Sequence, residues 1–174
     1  MKPWRDIVRE HGGIVWQTSL RLLGNEADAA DCFQNTFLAA MQGERGGEVR
    51  NWAGFLQRIA TTRAIDMLRR RRRAGRLTEG AMATEAVASR ELGPSEELQN
   101  AELGERLAEA LTQLPRRQAE AYCLRHLNEM SYQEIAEALG VSVDAVGVDL
   151  HRAQGRLREL LSGVCAQARE RGDS

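Results

Sequence analysis

Arg69, Arg70, Arg71, Arg72 and Arg73 stand in one unbroken run, with Arg76 just beyond. Guanidinium groups are permanent cations with a planar fork of donors, so such a run can bind the phosphates of a polyanion in a salt-dependent way. One or two arginines in a last helical turn are accounted for by the helix dipole, and five exceed that need. A second concentration of signals lies at residues 131–161, SYQEIAEALGVSVDAVGVDLHRAQGRLRELL. Ser131 and Glu134 have the spacing of a capping box, Gly140 stands where a helix must stop and turn, and Ser142 can cap a second helix. This order predicts a helix-turn-helix, the unit that lays its second helix in the DNA major groove, although an ordinary helical hairpin would share its apolar stripe. Covalent chemistry is not indicated. Cys32, Cys123 and Cys165, like His11, His126 and His151, are scattered, with no nucleophile–base pair, phosphate loop, metal spacing or disulfide framework, and no cofactor is implied.

The elements that must hold these residues are all helical by pattern. Ile7, Val8, Ile14, Val15, Leu20, Leu22 and Leu23 predict one helix, or two interrupted near Gly12-Gly13, closed by Gly24-Asn25. EADAADCFQNTFLAAM, residues 26–41, has acids at its start and a predicted buried stripe of Ala29, Ala30, Phe33, Phe37 and Met41. A glycine-bearing loop, 42–50, leads to a third helix over 51–73, whose apolar positions are Trp52, Phe55, Leu56, Ile59, Ile65 and Leu68. Residues 96–114 and 116–127 predict two more helices separated by Pro115. In the second helix of the helix-turn-helix, Val143, Val146, Leu150, Ala153, Leu157 and Leu160 form the expected buried stripe. Asp144, Gly147, Val148 and Asp149 are then expected to face outward, where a DNA reader normally carries basic or amide groups. The tail from 162 onward is expected to fray.

The net charge of −1 conceals a partition: +5 over residues 1–73, −5 over 74–113 and −1 over 114–174. Lys2 is the only lysine, so nearly all positive charge is arginine. Residues 74–94 are small, polar and acidic and make the natural boundary. The expected architecture is therefore all-α, with a helical domain at 1–73, an acidic flexible linker at 74–94, and a helical domain at 95–174 that ends in the helix-turn-helix. With no long apolar run and no leader pattern at Met1-Lys2-Pro3, the expected location is the cytoplasm, without membrane insertion.

Three stretches in order, DAADCFQNTFLAA, WAGFLQRIATTRAIDMLRRRRR and LPRRQAEAYCLRHLNEMSYQEIAEALGVSVDAVGVDLHRAQGRLREL, resemble the two-domain sigma factors of bacterial RNA polymerase of the extracytoplasmic-function (ECF) type. The resemblance implies a non-enzymatic subunit that recruits core polymerase, through its clamp and flap, to promoter DNA. It implies polymerase contacts at Asp31, Phe33, Gln34 and Phe37, and downstream-element contacts at Asn51, Trp52, Arg58, Arg63, Arg69, Arg70, Arg71 and Arg72. Upstream contacts would fall on Ser142, Ala145, Gly147, Val148, His151 and Arg152, the linker would thread towards the polymerase active centre, and an anti-sigma factor is a further candidate partner. The chain departs from the family twice. Thr61-Thr62 stands where Arg-Asn is usual, and Ala145-Val146-Gly147-Val148-Asp149 stands where Thr-Val-Lys-Ser-Arg is usual. Loss of those cations predicts that the arginine-ended helix, more than the helix-turn-helix, supplies the DNA affinity. Two other readings stay open on the residues alone: a stand-alone helix-turn-helix regulator that dimerises on a palindrome, and a sigma-like module whose C-terminal domain binds protein more than DNA.

Overall fold

The computed structural model describes residues 2–43, 49–75 and 94–171, and these form seven α-helices with no strand among them. Of the expected linker at 74–94, residues 76–93 lie outside the described residues, as does the centre of the loop, at 44–48, while residues 74 and 75 close the third helix and residue 94 opens the fourth. α1 (Trp4–Leu23) runs unbroken through Gly12-Gly13 and stops at Gly24, whose left-handed φ of 75° lets its amide donate to the Leu20 carbonyl. Helical glycines cost about 1 kcal/mol each, but the burial of Ile7, Val15, Leu22 and Leu23 outweighs that. Asn25 then caps α2 (Glu26–Gly43), its side-chain oxygen accepting from the Asp28 amide at 2.8 Å.

α1, α2 and α3 (Trp52–Gly75) pack on one another around Ile7, Val15, Phe37, Ala40, Leu56 and Ala60. The buried face of α2 is Ala29, Cys32, Thr36, Phe37 and Ala40, rotated from the expected stripe, so that Met41 and Leu38 are exposed. The three aromatic residues Trp4, Trp52 and Phe55 meet edge-on where α3 begins, with ring centres 5.4 and 6.0 Å apart.

Of the remaining helices, α4 (Pro94–Thr112) ends just before Pro115, which has no amide to continue a ladder and instead starts α5 (Arg116–His126). A turn through Glu129, with φ of 55°, leads to α6 (Tyr132–Leu139), and Gly140 separates it from α7 (Val143–Arg171). Ala121, Leu124, Met130, Ile135, Ala136, Val146 and Leu150 form the core between α5, α6 and the start of α7. Val143 lies exposed outside that core, and α7 continues ten residues past Leu161 instead of ending there.

The two groups of helices share a third core. Leu22, Leu23, Cys32, Ala64, Ile65 and Leu68 from the first meet Ala110, Leu111, Leu114, Ala119, Cys123, Ala153 and Leu157 from the second. Polar bonds ring this apolar seam. Arg21 donates to the Leu127 carbonyl at 2.7 Å, Thr62 to Glu120 Oε1 at 2.8 Å, and Arg116 to Asp66 at 3.1 Å and Glu120 at 3.3 Å. Asn128 reaches the buried hydroxyls of Thr18, at 3.0 Å, and Thr61, at 3.4 Å. Both members of the Thr61-Thr62 departure therefore work at the seam. Thr61 has no exposed surface, which leaves no room there for a solvated guanidinium.

Candidate nucleic-acid interface

The arginine run at the end of α3 divides by function. Arg69 donates to the Leu114 carbonyl at 2.9 Å, Arg72 to Thr112 Oγ1 at 3.3 Å, and Arg71 to the Leu23 carbonyl at 3.3 Å and to Asp28. Arg69 and Arg71 thereby satisfy backbone carbonyls left over after α4 and at the end of α1, a job that helix termini leave open, and Arg72 meets a side-chain hydroxyl in the last turn of α4. Burial pushes the Asp28 carboxyl up, and hydrogen bonds from Asn25 and Arg71 more than reverse that, holding it below the ordinary carboxylate range. Arg71 stays exposed along with Arg70 and Arg73, so most of the run faces solvent as expected, while Arg69 and Arg72 are half-buried. Arg70 and Arg73 are exposed, as are Arg58 and Arg63 further back on α3, and Arg69, Arg72 and Arg73 with Thr112 line a basic recess.

Asn51 and Trp52 have structural tasks. Asn51 Oδ1 accepts from the Gly54 amide at 3.0 Å and so caps α3, while Trp52 packs on Trp4 and Phe55. On α2, Phe37 is 7% exposed and packs on Phe33, which also meets Trp16, so these rings shape the inner side of the helix. Asp31 and Gln34 are exposed on the outer side, and Leu38 beside them is 57% exposed. Sequence reasoning missed Leu38 as a surface residue, although its spacing of four from Gln34 puts both on one face.

The helix-turn-helix has the predicted local build. Ser131 Oγ accepts from the Glu134 amide at 3.2 Å while the Ser131 amide donates to the Glu134 carboxylate at 2.7 Å. That second bond, with the Ser131 hydroxyl, holds the Glu134 carboxyl below its ordinary range. Gly140 takes φ of 67°, and Ser142 Oγ accepts from the Ala145 amide at 3.1 Å as the cap of α7. Ala145 and Gly147 are half-buried, with the Tyr132 ring near Gly147, while Val148, His151 and Arg152 are exposed.

Asp149 is not where the pattern put it. Its carboxylate is 3% exposed and accepts from Arg117 Nε at 2.6 Å and Nη2 at 3.3 Å, and the Arg117 guanidinium is held above its usual range by that bond. The outward reading failed because Asp149 lies at the flank of α7, where α5 covers it. Sequence inspection missed Arg117 altogether; an acid facing the core side of a helix is the signal that asks for such a partner.

Cys32 and Cys123 are buried, and burial raises both thiols, Cys123 to about 12, so neither forms a thiolate near neutral pH. Among the described residues no group of His, Cys, Asp and Glu could hold a metal ion, and no helix is long and apolar enough to cross a membrane.

Two family models match in order along this architecture: Sigma-70 region 2 over residues 7–74 and Sigma-70, region 4 over residues 104–157. The ECF RNA polymerase sigma factor SigL of Mycobacterium tuberculosis is 31% identical over 160 residues, covering 88% of this chain and 86% of that one. The chain belongs to the ECF sigma factors. It is also 32% identical over 164 residues to the ECF sigma factor SigE of Mycolicibacterium smegmatis, spanning 93% of this chain but 63% of that relative's length. Among solved structures, CnrH in complex with the cytosolic domain of CnrY is similar, with a TM-score of 0.57, 28% identity and coverage of 92% of this chain and 88% of that one. In this sigma factor the region 2 match runs over α1 to α3, and the region 4 match runs from the second half of α4 through the helix-turn-helix.

Proposed function

We propose that this sigma factor brings RNA polymerase core to promoters through division of labour between its two units, with domains at 1–73 and 95–174 and a linker at 74–94. The observation that carries the reading is the ordered pair of family matches laid over two differently equipped surfaces. The outer side of α2, with Asp31, Gln34 and exposed Leu38, suits a protein contact with the polymerase clamp. Arg58, Arg63, Arg70 and Arg73 stand free of the seam on α3 and suit the downstream element. The exposed positions of α7, Val148, His151 and Arg152, with half-buried Gly147 beside them, suit the upstream element. The subunit binds and positions, and its role requires no catalytic group of its own. CnrH was solved with the cytosolic domain of CnrY, and an anti-sigma factor is correspondingly a partner of this chain in the same reading. A soluble compartment shared with the polymerase follows from that role.

The test is a pull-down of core polymerase by the full chain, followed by run-off transcription from genomic promoter fragments. Stable association and a discrete transcript set are expected. Absence of core binding would overturn the reading, and DNA binding as a free dimer without polymerase would replace it with a stand-alone regulator.

A further inference from the structure

We propose that Arg117, held in place by Asp149, is a DNA-phosphate contact of the helix-turn-helix, supplying from α5 the positive charge that the family usually carries on the recognition helix itself. This deepens the proposed function and rests on its reading of α7 as a promoter-facing helix. The geometry is asymmetric. The acid of the pair is 3% exposed and the guanidinium is 55% exposed, so the carboxylate serves as a covered anchor and the cation projects into solvent. Asp149 engages Nε and one Nη2 hydrogen, leaving the outer edge of the fork, Nη1 included, directed away from its anchor.

The place of the pair on α7 decides what that edge can reach. At about 100° of rotation per residue, Asp144, Val148, His151 and Gly155 form the outward face of the helix. Asp149 lies on one flank of that face together with Ala145, Arg152 and Arg156, whereas the Tyr132 ring of α6 stands beside Gly147 on the other flank. Arg117, Arg152 and Arg156 therefore rim the same side. A helix seated in the major groove meets the phosphate backbone along its flanks, where contacts set register without reading bases. Arginine suits this double duty because its fork can hold a carboxylate and a phosphate at once, which a lysine ammonium does not do with the same geometry. The pairing also answers an electrostatic objection: the acid in the second turn of α7 is covered, and the guanidinium is the member of the pair that faces solvent.

The experiment uses the full chain assembled with core polymerase and a promoter duplex recovered by selection with that parent holoenzyme. Affinity is measured across a range of KCl concentrations, with thermal melting of each free variant as a check on folding. The double variant Arg117→Gln/Asp149→Asn removes both charges yet keeps two amide-bearing side chains that can pair. It is expected to melt like the parent, to lose about tenfold in affinity, and to flatten the log–log salt slope by about one, equally for every upstream base sequence. Asp149→Asn alone keeps the cation but loosens its anchor, so affinity falls with the slope unchanged. A double variant that melts normally and retains the parent's affinity and slope overturns the proposal. Should the double variant lose its cooperative melt, Arg117→Lys decides: weaker binding at the parent's slope supports the fork contact, and unchanged binding overturns it. A parent holoenzyme that protects no upstream DNA sinks the promoter-facing reading of α7 along with this one, whereas a parent that does so beside an indifferent variant sinks only the role of Arg117.

Discussion

A free carboxylate on the second turn of a recognition helix would repel phosphate, and Asp149 avoids this by being buried against Arg117. The identity of the residue was plain in the sequence; its partner, thirty-two positions earlier, was not. The capping box shows the opposite case, since Ser131 and Glu134 find each other locally and were legible as a pattern. Ser131→Ala is expected to cost about 1 kcal/mol, read as a lower urea midpoint at unchanged slope. Because the folded state holds Glu134 below its ordinary value of 4.5, its contribution is present above that pH and is lost as pH falls through the lower, folded value. Glu134→Gln should therefore make the acid limb of the stability profile shallower, and an identical acid limb would count against the capping bond. The raised thiols give another check. In a Cys165→Ser background, Cys32 and Cys123 should resist iodoacetamide at pH 8 until urea unfolds the chain.

At the scale of elements, the glycines of the C-terminal half have unlike tasks. Gly140 needs its φ of 67° to end α6, so Gly140→Ala should destabilise by about 1–2 kcal/mol. Gly155 is an ordinary position within α7 with open space where a Cβ would go, so Gly155→Ala should stabilise by up to about 1 kcal/mol. Thermal melts of the two variants should move in opposite directions, and a common direction would show that one of the two assignments is wrong. Helix existence and most helix ends were legible from apolar period, proline and glycine. The rotation of α2 was not, because Thr36 and Cys32 are buried there through hydrogen bonds and close packing that a hydrophobic pattern does not register.

Over the whole molecule, the seam between the units draws in two arginines of the run, Arg69 and Arg72, which reach the end of α4. Arg69, Arg71 and Arg72 serve helix ends, and Leu111 lies 1% exposed in a core fed by both units. Leu111→Ala should cost about 2–5 kcal/mol, and hydrogen exchange should quicken in α3 as well as in α4 and α5. Loss of protection confined to the C-terminal helices would mean that the units fold without reference to each other. The charge partition and the helical class were evident in composition, but a seam is a match between two surfaces that neither stretch announces by itself.

From the sequence alone came the all-helical class, the order of the motifs, the helix-turn-helix with its caps, and the family resemblance, because each rests on neighbours within a few turns or on residue types in order. Tertiary structure decided which arginines are struts and which face outward, why Thr61 and Thr62 replace larger polar groups, and that Asp149 is an anchor. Those outcomes depend on contacts between residues far apart in the chain, where burial makes an unpaired charge or hydroxyl costly and so dictates its partner.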